Sequence, residues 1–165
     1  MNNRSMILLD IDGVLNPDMS NKRRKKAGYR TRTVLGYRVH FNALHGPMLH
    51  SLARETDSEL VWATTWEANA NAWIAPLIRL HGLPFIKVAD SVWNADPDWK
   101  FPSVQQYCEG RPVLWFDDDF GKYPKAMIDF IEGRAGVPTM LYDIDSRDGL
   151  TKYDVESAAI WLKGL

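Results

Sequence analysis

Apolar and polar positions fall in blocks along this 165-residue chain. Met6-Ile7-Leu8-Leu9 is a short, continuous apolar run that ends in Asp10-Ile11-Asp12-Gly13, the pattern of a strand buried on both faces. Leu60–Ala63, Phe85–Ala89, Val113–Phe116 and Val137–Tyr142 repeat that form, which predicts five strands. Stretches of helical period separate them. Pro47 opens one that carries Met48, Leu49, Leu52 and Ala53 on one face. Residues 67–81 space Trp73, Leu77 and Leu80 helically, with Pro76 predicting a kink or two shorter pieces and Gly82 placed to stop them. A short helix is expected after Pro102. Tyr123, Ala126, Met127, Phe130 and Ile131 recur at i, i+3, i+4, i+7 and i+8. Thr151 with Asp154 resembles a capping arrangement for a last helix bearing Val155, Ala158, Ala159 and Leu162. Tyr29–Val34 and Tyr37–Phe41, joined near Leu35-Gly36, read as a β-hairpin.

Strands alternating with helices predict an α/β fold: a single Rossmann-like open parallel sheet with helices on both faces and a β-hairpin flap after the first strand. No linker or internal repeat divides it, so one domain over residues 1–165 is expected, with a basic flap segment at about 17–42.

Composition adds an asymmetry. The chain holds 20 Lys+Arg and 21 Asp+Glu, a net charge of −1. Residues 21–40 contain Lys22, Arg23, Arg24, Lys25, Lys26, Arg30, Arg32 and Arg38 and no acid, leaving 12 basic and 21 acidic groups elsewhere, a net of −9. A basic segment on an acidic body suggests a local anionic partner, while a solvated loop is the plainer reading. The single cysteine, Cys108, excludes an internal disulfide, and it reads as a packing residue. No apolar run approaches the roughly 18 residues of a membrane span. The N-terminus lacks a signal-peptide core, so no membrane association and a cytoplasmic location are expected.

The chemistry gathers where strands end. Ligands of such sheets bind beyond the carboxyl ends of the strands, and three predicted strands end in Asp10 and Asp12, in Thr64 and Thr65, and in Asp117, Asp118 and Asp119. One Asp after a strand is usually a turn former or a helix cap. Several at one sheet edge repel unless a cation intervenes, and an oxygen-only donor set suits Mg²⁺. A carboxylate beside such an ion is a ready nucleophile towards phosphorus. His40, His45 and His50, five apart, and the seven Trp read mainly as structural, although Trp66 and Trp115 adjoin the motifs and offer faces on which a base could stack.

In these motifs and in their order the chain resembles the haloacid dehalogenase superfamily of phosphotransferases. MILLDIDGVL over 6–15, LVWAT ending at Thr64, Lys100 in DWKFPSV, and VLWFDD ending at Asp118 match its four motifs. The resemblance implies a phosphatase in which Asp10 attacks phosphorus and Asp12 acts as general acid and base. Thr64, with Thr65 as the alternative, would bind a phosphoryl oxygen, and Lys100, with Lys87 as the second choice, would offset charge. Asp10, the Asp12 carbonyl, Asp117 and Asp118 would hold Mg²⁺, and Asp119 is a further acid that could take part. A receiver domain uses similar residues, but in it the phosphorylated Asp follows a middle strand and Thr precedes Lys, which this order does not match.

Neither insertion point of that family has room here for a large cap, so an open site and a large substrate are expected. The basic segment falls where the family places a flap, which makes Lys22, Arg23, Arg24, Lys25, Lys26, Arg30 and Arg32 candidate contacts to a polyanionic strand. The chain is also similar to the small capless phosphatase-like domains of bacterial and phage RNA-repair proteins, through WATTW, WFDDD and Gly149-Leu150-Thr151. That likeness implies a terminal phosphate on RNA or DNA, at the 3′ or the 5′ end. A small phosphometabolite, a phosphoryl acceptor other than water, and a non-catalytic nucleic-acid-binding role are the alternatives. The sequence does not indicate an oligomeric state.

Overall fold

Four strands form one parallel sheet in the order β4-β1-β5-β6, built from Met6–Leu9 (β1), Glu59–Trp62 (β4), Val113–Asp117 (β5) and Thr139–Asp143 (β6). The computed structural model describes residues 4–87 and 100–165. Between β1 and β4 come a short helix Asn21–Lys26 (α1), an antiparallel hairpin of Arg30–Val34 (β2) and Tyr37–Phe41 (β3), and the helix His45–Glu55 (α2). The remaining helices are Phe101–Cys108 (α3), Pro124–Gly133 (α4) and Lys152–Lys163 (α5). No cap domain is inserted among the described residues.

Strand alternation sorts the core into two layers. Ile7 and Leu9, Leu60 and Trp62, and Leu114 and Phe116 point to one side, where they pack with Leu49 and Leu52 of α2 and Ala158 and Leu162 of α5. Met6 and Leu8, Val61 and Ala63, and Val113 and Trp115 point to the other side, against Val104 of α3 and Ala126 and Phe130 of α4. All four β1 residues are fully buried, and full burial of a large apolar side chain contributes about 1.5–3 kcal/mol. Two-sided burial is what their unbroken apolar runs require. Thr151 caps α5 as its sequence suggests: its hydroxyl accepts from the Asp154 N–H while the Asp154 carboxylate accepts from the Thr151 N–H.

Two expectations need correction. Residues 67–81 break near Pro76, as that proline predicts, but Trp73 does not face inward. Ala70–Ile74 is a π-helical turn whose Ala75 N–H reaches the Ala70 carbonyl, Pro76 lacks the N–H that would extend it, and Trp73 is about half exposed. Leu80 is buried and Leu77 partly so, as expected, and Ala70, Ile74, Ala75 and Ile78 join them in the core. Arg79, with φ of 62°, ends this stretch before Gly82. The expected strand at 85–89 is reduced, within the described residues, to a parallel bridge between Phe85 and Trp62; Val88 and Ala89 lie outside them. Trp115 is structural, as its main reading has it: it is buried among Phe101, Phe120 and Phe130, which leaves no face for a base.

Candidate active site

Register brings the motif residues together. Leu9 lies level with Trp62 on one side and Phe116 on the other, so Asp10 and Asp117 follow as neighbours at the tops of β1 and β5. The Asp10 N–H donates to the Phe116 carbonyl at 3.1 Å, which holds that level. By alternation both carboxylates fall on the α3–α4 side of the sheet. Lys100 immediately precedes α3 on that same side, and its Nζ donates to Asp10 Oδ2 and Asp117 Oδ2 at 2.6 Å each. Lys87, the other candidate lysine, is exposed.

All three of these charges are buried. Burial works against the charge on Lys100, but the attraction of Asp10 and Asp117 outweighs it and raises its pKa above the ordinary lysine value. Burial and repulsion by Asp10 push the Asp117 carboxyl upward despite the lysine. Asp118 is pushed up to about 6 by burial and by the nearby charges of Asp119 and Asp10. Oxygens of Asp10, Asp117 and Asp118 all lie within 4.8 Å of one another. Three close carboxylates against one ammonium leave an excess of negative charge, and this all-oxygen donor set fits a hard divalent cation. Asp119 has other partners: its backbone N–H donates to Asp117 Oδ1 at 3.1 Å, and its carboxylate pairs with Lys122.

Asp12 stands apart from this group. It is exposed, its Oδ1 accepts from Asn16 Nδ2 and its Oδ2 from Trp66 Nε1, both at 2.8 Å. Sequence reasoning missed both partners. The i, i+4 spacing of Asp12 and Asn16 in a turn was the available signal for one; nothing local signalled the other, 54 residues away. Gly13 was read only as part of a motif. With φ of 79°, a Cβ there would lie 2.2 Å from the Asp118 carboxylate, so glycine is what lets Asp118 approach.

Thr64 is fully buried, its Oγ1 accepting weakly from the Trp66 N–H at 3.4 Å, whereas Thr65 is exposed. Thr65 lines both cavities described below, and Thr64 lines neither. A cleft of about 430 Å³ opens over Asp10, Asp12, Gly13, Thr65, Lys100 and Asp118, with Asp18, Lys122 and Ser146 on its rim. An adjoining groove of about 460 Å³ shares Asp12 and Thr65 with it.

Most of the basic segment lies outside this opening. Lys22, Arg23, Lys25, Lys26, Arg30 and Arg32 are exposed and line neither cavity. Arg23 pairs with Asp148, and the Asp18 N–H donates to the Ser146 carbonyl at 2.7 Å, which pins α1 beside the rim. Arg24 is spent on structure, donating to the Met19 carbonyl at 2.6 Å and bonding to Asn21 and His40. His40, His45 and His50 do not converge: His45 is buried with its Nε2 on the Leu150 carbonyl, and His50 is exposed.

The family model for the HAD domain in Swiss Army Knife RNA repair proteins matches residues 6–155. The chain belongs to that family. No curated protein matches it. In this HAD domain the matched span runs from the first residue of β1 into α5, so it takes in every strand of the parallel sheet and the whole carboxylate–lysine cluster. No helix of this HAD domain, among the described residues, is long and apolar enough to cross a membrane.

Proposed function

We propose that this HAD domain is a Mg²⁺-dependent phosphomonoesterase that removes a terminal phosphate from a nucleic-acid or nucleotide end through an aspartyl phosphate on Asp10. The observation that carries the reading is the Asp10 carboxylate at the floor of an open cleft. Its Oδ2 accepts from Lys100, and its Oδ1 accepts from the Ile11 N–H at 2.8 Å. A carboxylate fixed by two donors has one orientation from which to attack in line.

In the first step an Asp10 oxygen bonds to phosphorus as the bond to the leaving oxygen breaks, and that oxygen takes a proton from the carboxylic acid of Asp12. In the second step Asp12, now a carboxylate, takes a proton from water as the water oxygen attacks phosphorus. The bond to Asp10 breaks and inorganic phosphate leaves. Such general acid–base work contributes about 10²–10⁴-fold. Asn16 and Trp66 keep the Asp12 carboxylate on the cleft wall. Lys100 offsets charge on Asp10 and on the transferring group. Thr65 meets the phosphate from the wall, and buried Thr64 supports the turn that presents it. Asp10, Asp117 and Asp118, with the Asp12 carbonyl, would hold Mg²⁺, which would neutralise negative charge on the phosphoryl oxygens. Residues 1–165 act as one unit in this reading, in a cytoplasmic setting that suits the free, buried thiol of Cys108.

The test is phosphate release from 3′- and 5′-phosphorylated oligonucleotides and from small phosphate esters, with Mg²⁺ or with a chelator. We expect release that stops with the chelator and falls at least about 10³-fold in Asp10→Asn. Release that survives Asp10→Asn overturns the assignment of the nucleophile. A small ester turned over far better than any oligonucleotide overturns the substrate class.

A further inference from the structure

The groove next to the catalytic cleft shares Asp12 and Thr65 with it, and its far side, from Leu35, Tyr37, Arg38 and Asn69, has no part in the chemistry above. Leu35 and Tyr37 at the tip of the hairpin face Trp66 and Asn69 across it, and Arg38 joins them. Leu35 and Gly36 both have positive φ, 49° and 85°, which gives the two-residue turn that suits the twist of a tight hairpin. A leucine at such a φ is uncommon, and this one is 52% exposed, so burial does not account for it. Tyr37 is 68% exposed, and its ring meets the Trp66 ring edge-on, with centroids 6.0 Å apart. Two large side chains are thus held in water at a turn beside the proposed acid, Asp12. The indole N–H of Trp66 is already committed to Asp12.

We infer that this groove seats the terminal nucleobase of the strand whose phosphate lies in the cleft. The inference rests on the phosphatase reading for its orientation and deepens it by naming what the enzyme grips on the leaving-group side. Three observations support a nucleobase as the occupant. The groove and the cleft share Asp12 and Thr65, so a group bonded to the phosphate passes directly from one into the other. The volume of about 460 Å³ lies in the roughly 300–1,000 Å³ range of small-ligand sites, room for one base and its sugar rather than for a duplex. The lining joins an exposed aromatic ring, which any base can stack on, with the Asn69 amide for a base edge and the Arg38 cation for a neighbouring phosphodiester. Arg30 and Arg32 extend that positive charge along the same hairpin. Tyr37 is the platform, and Trp66 braces it while holding Asp12, so base and acid are gripped by one pair of rings.

The test compares phosphorylated oligonucleotides that carry the terminal base with abasic ones, for the 3′ and the 5′ phosphate, by fluorescence anisotropy and by phosphate release on the full chain. We expect removal of the base to weaken binding at least about five-fold at the preferred end. Tyr37→Ala should cost a similar factor on the base-bearing strand, as a rise in KM, and erase the difference between the two strands. Tyr37→Phe should restore it. A difference that survives Tyr37→Ala, or base-bearing and abasic strands bound equally, overturns the inference. Discrimination in binding without phosphate release supports the groove and defeats the phosphatase reading. Release from both strands at equal kcat/KM does the reverse, and absence of both binding and release defeats the two together.

Discussion

The carboxyl end of the sheet and the flap above it are built on opposite terms. At the sheet end, Asp10, Asp117 and Lys100 are buried charges, each fixed by hydrogen bonds and by strands or helices packed on both sides. In the flap, α1 buries no residue, and the hairpin buries only Val34 and Val39. The first region can hold atoms to a small tolerance but cannot change without disturbing the core. The second is joined to the rest by the Arg23–Asp148 pair, the His40 N–H on Asn16 Oδ1 at 2.8 Å, and the Asp18 N–H on the Ser146 carbonyl at 2.7 Å, among other bonds. In the proposed reading the nucleophile Asp10 and its lysine belong to the buried region, and substrate grip to the exposed one.

The sharpest way to break this contrast is at Lys100. Lys100→Met leaves Asp10 and Asp117 buried side by side with no ammonium between them, and removing one partner of a buried pair costs about 3–5 kcal/mol. We expect a loss of that order in denaturant unfolding, and a fall in kcat of at least about 10²-fold on every phosphate ester. A variant of normal stability would show that the lysine does not organise the acids.

His45 extends the comparison to pH. Burial holds its imidazole down at about 4, only partly offset by the Leu150 carbonyl, whereas the unfolded chain titrates near 6.5. The depressed value means that the unfolded chain takes up the proton first as pH falls. Stability is complete above about pH 6.5 and declines towards pH 4, by up to about 3 kcal/mol. The stability difference between the unmodified chain and His45→Asn, read from unfolding midpoints, should shrink by this amount from pH 7 to 4.5, since Asp117 and Asp118, with raised pKa values, contribute equally to both.

Gly13→Ala probes the seam between the two regions. A Cβ there meets the Asp118 carboxylate and forces it away. Apparent Mg²⁺ affinity should fall about 10–100-fold, as when a ligand's support is lost, while kcat at saturating metal recovers in part.

The smallest effect is expected in the flap. Replacing Lys22, Lys25 and Lys26 with alanine should leave stability within about 0.5 kcal/mol. It should raise KM for oligonucleotides by about ten-fold at low salt and reduce the salt slope by about two. Turnover of a small ester should not change. Equal loss on both substrates would mean that α1 supports the cleft rather than the strand.

The sequence made the buried region legible because apolar runs and their terminal acids are local signals. β1, β4 and β5 lie within one residue of their expected bounds, and Lys100 meets the two acids at the tops of β1 and β5. What stayed hidden depends on contacts between distant segments. The Trp66–Asp12 bond, the inward turn of Thr64 and the groove at the hairpin tip follow from how β4 is set against β1, which no window of residues displays. Trp73 went wrong for a related reason: a large aromatic side chain satisfies either a surface or a core, and only packing decides which. The basic run was visible as charge, but its docking beside the rim through Asp148 was not.

The order of the sheet has a further consequence, for how the protein comes to be. β1 is its second strand in space but the first in the chain, and its partners begin at Glu59 and Val113, so Met6 must find neighbours 53 and 107 residues away. Such non-local pairing is slow compared with helix formation. Asp10, Lys100 and Asp117 meet only after the last of these closures, and a nascent chain that has not yet made β5 carries the proposed nucleophile without its setting. Recovery of turnover on refolding should lag the return of helical signal, which makes activity a clock for the final step of assembly.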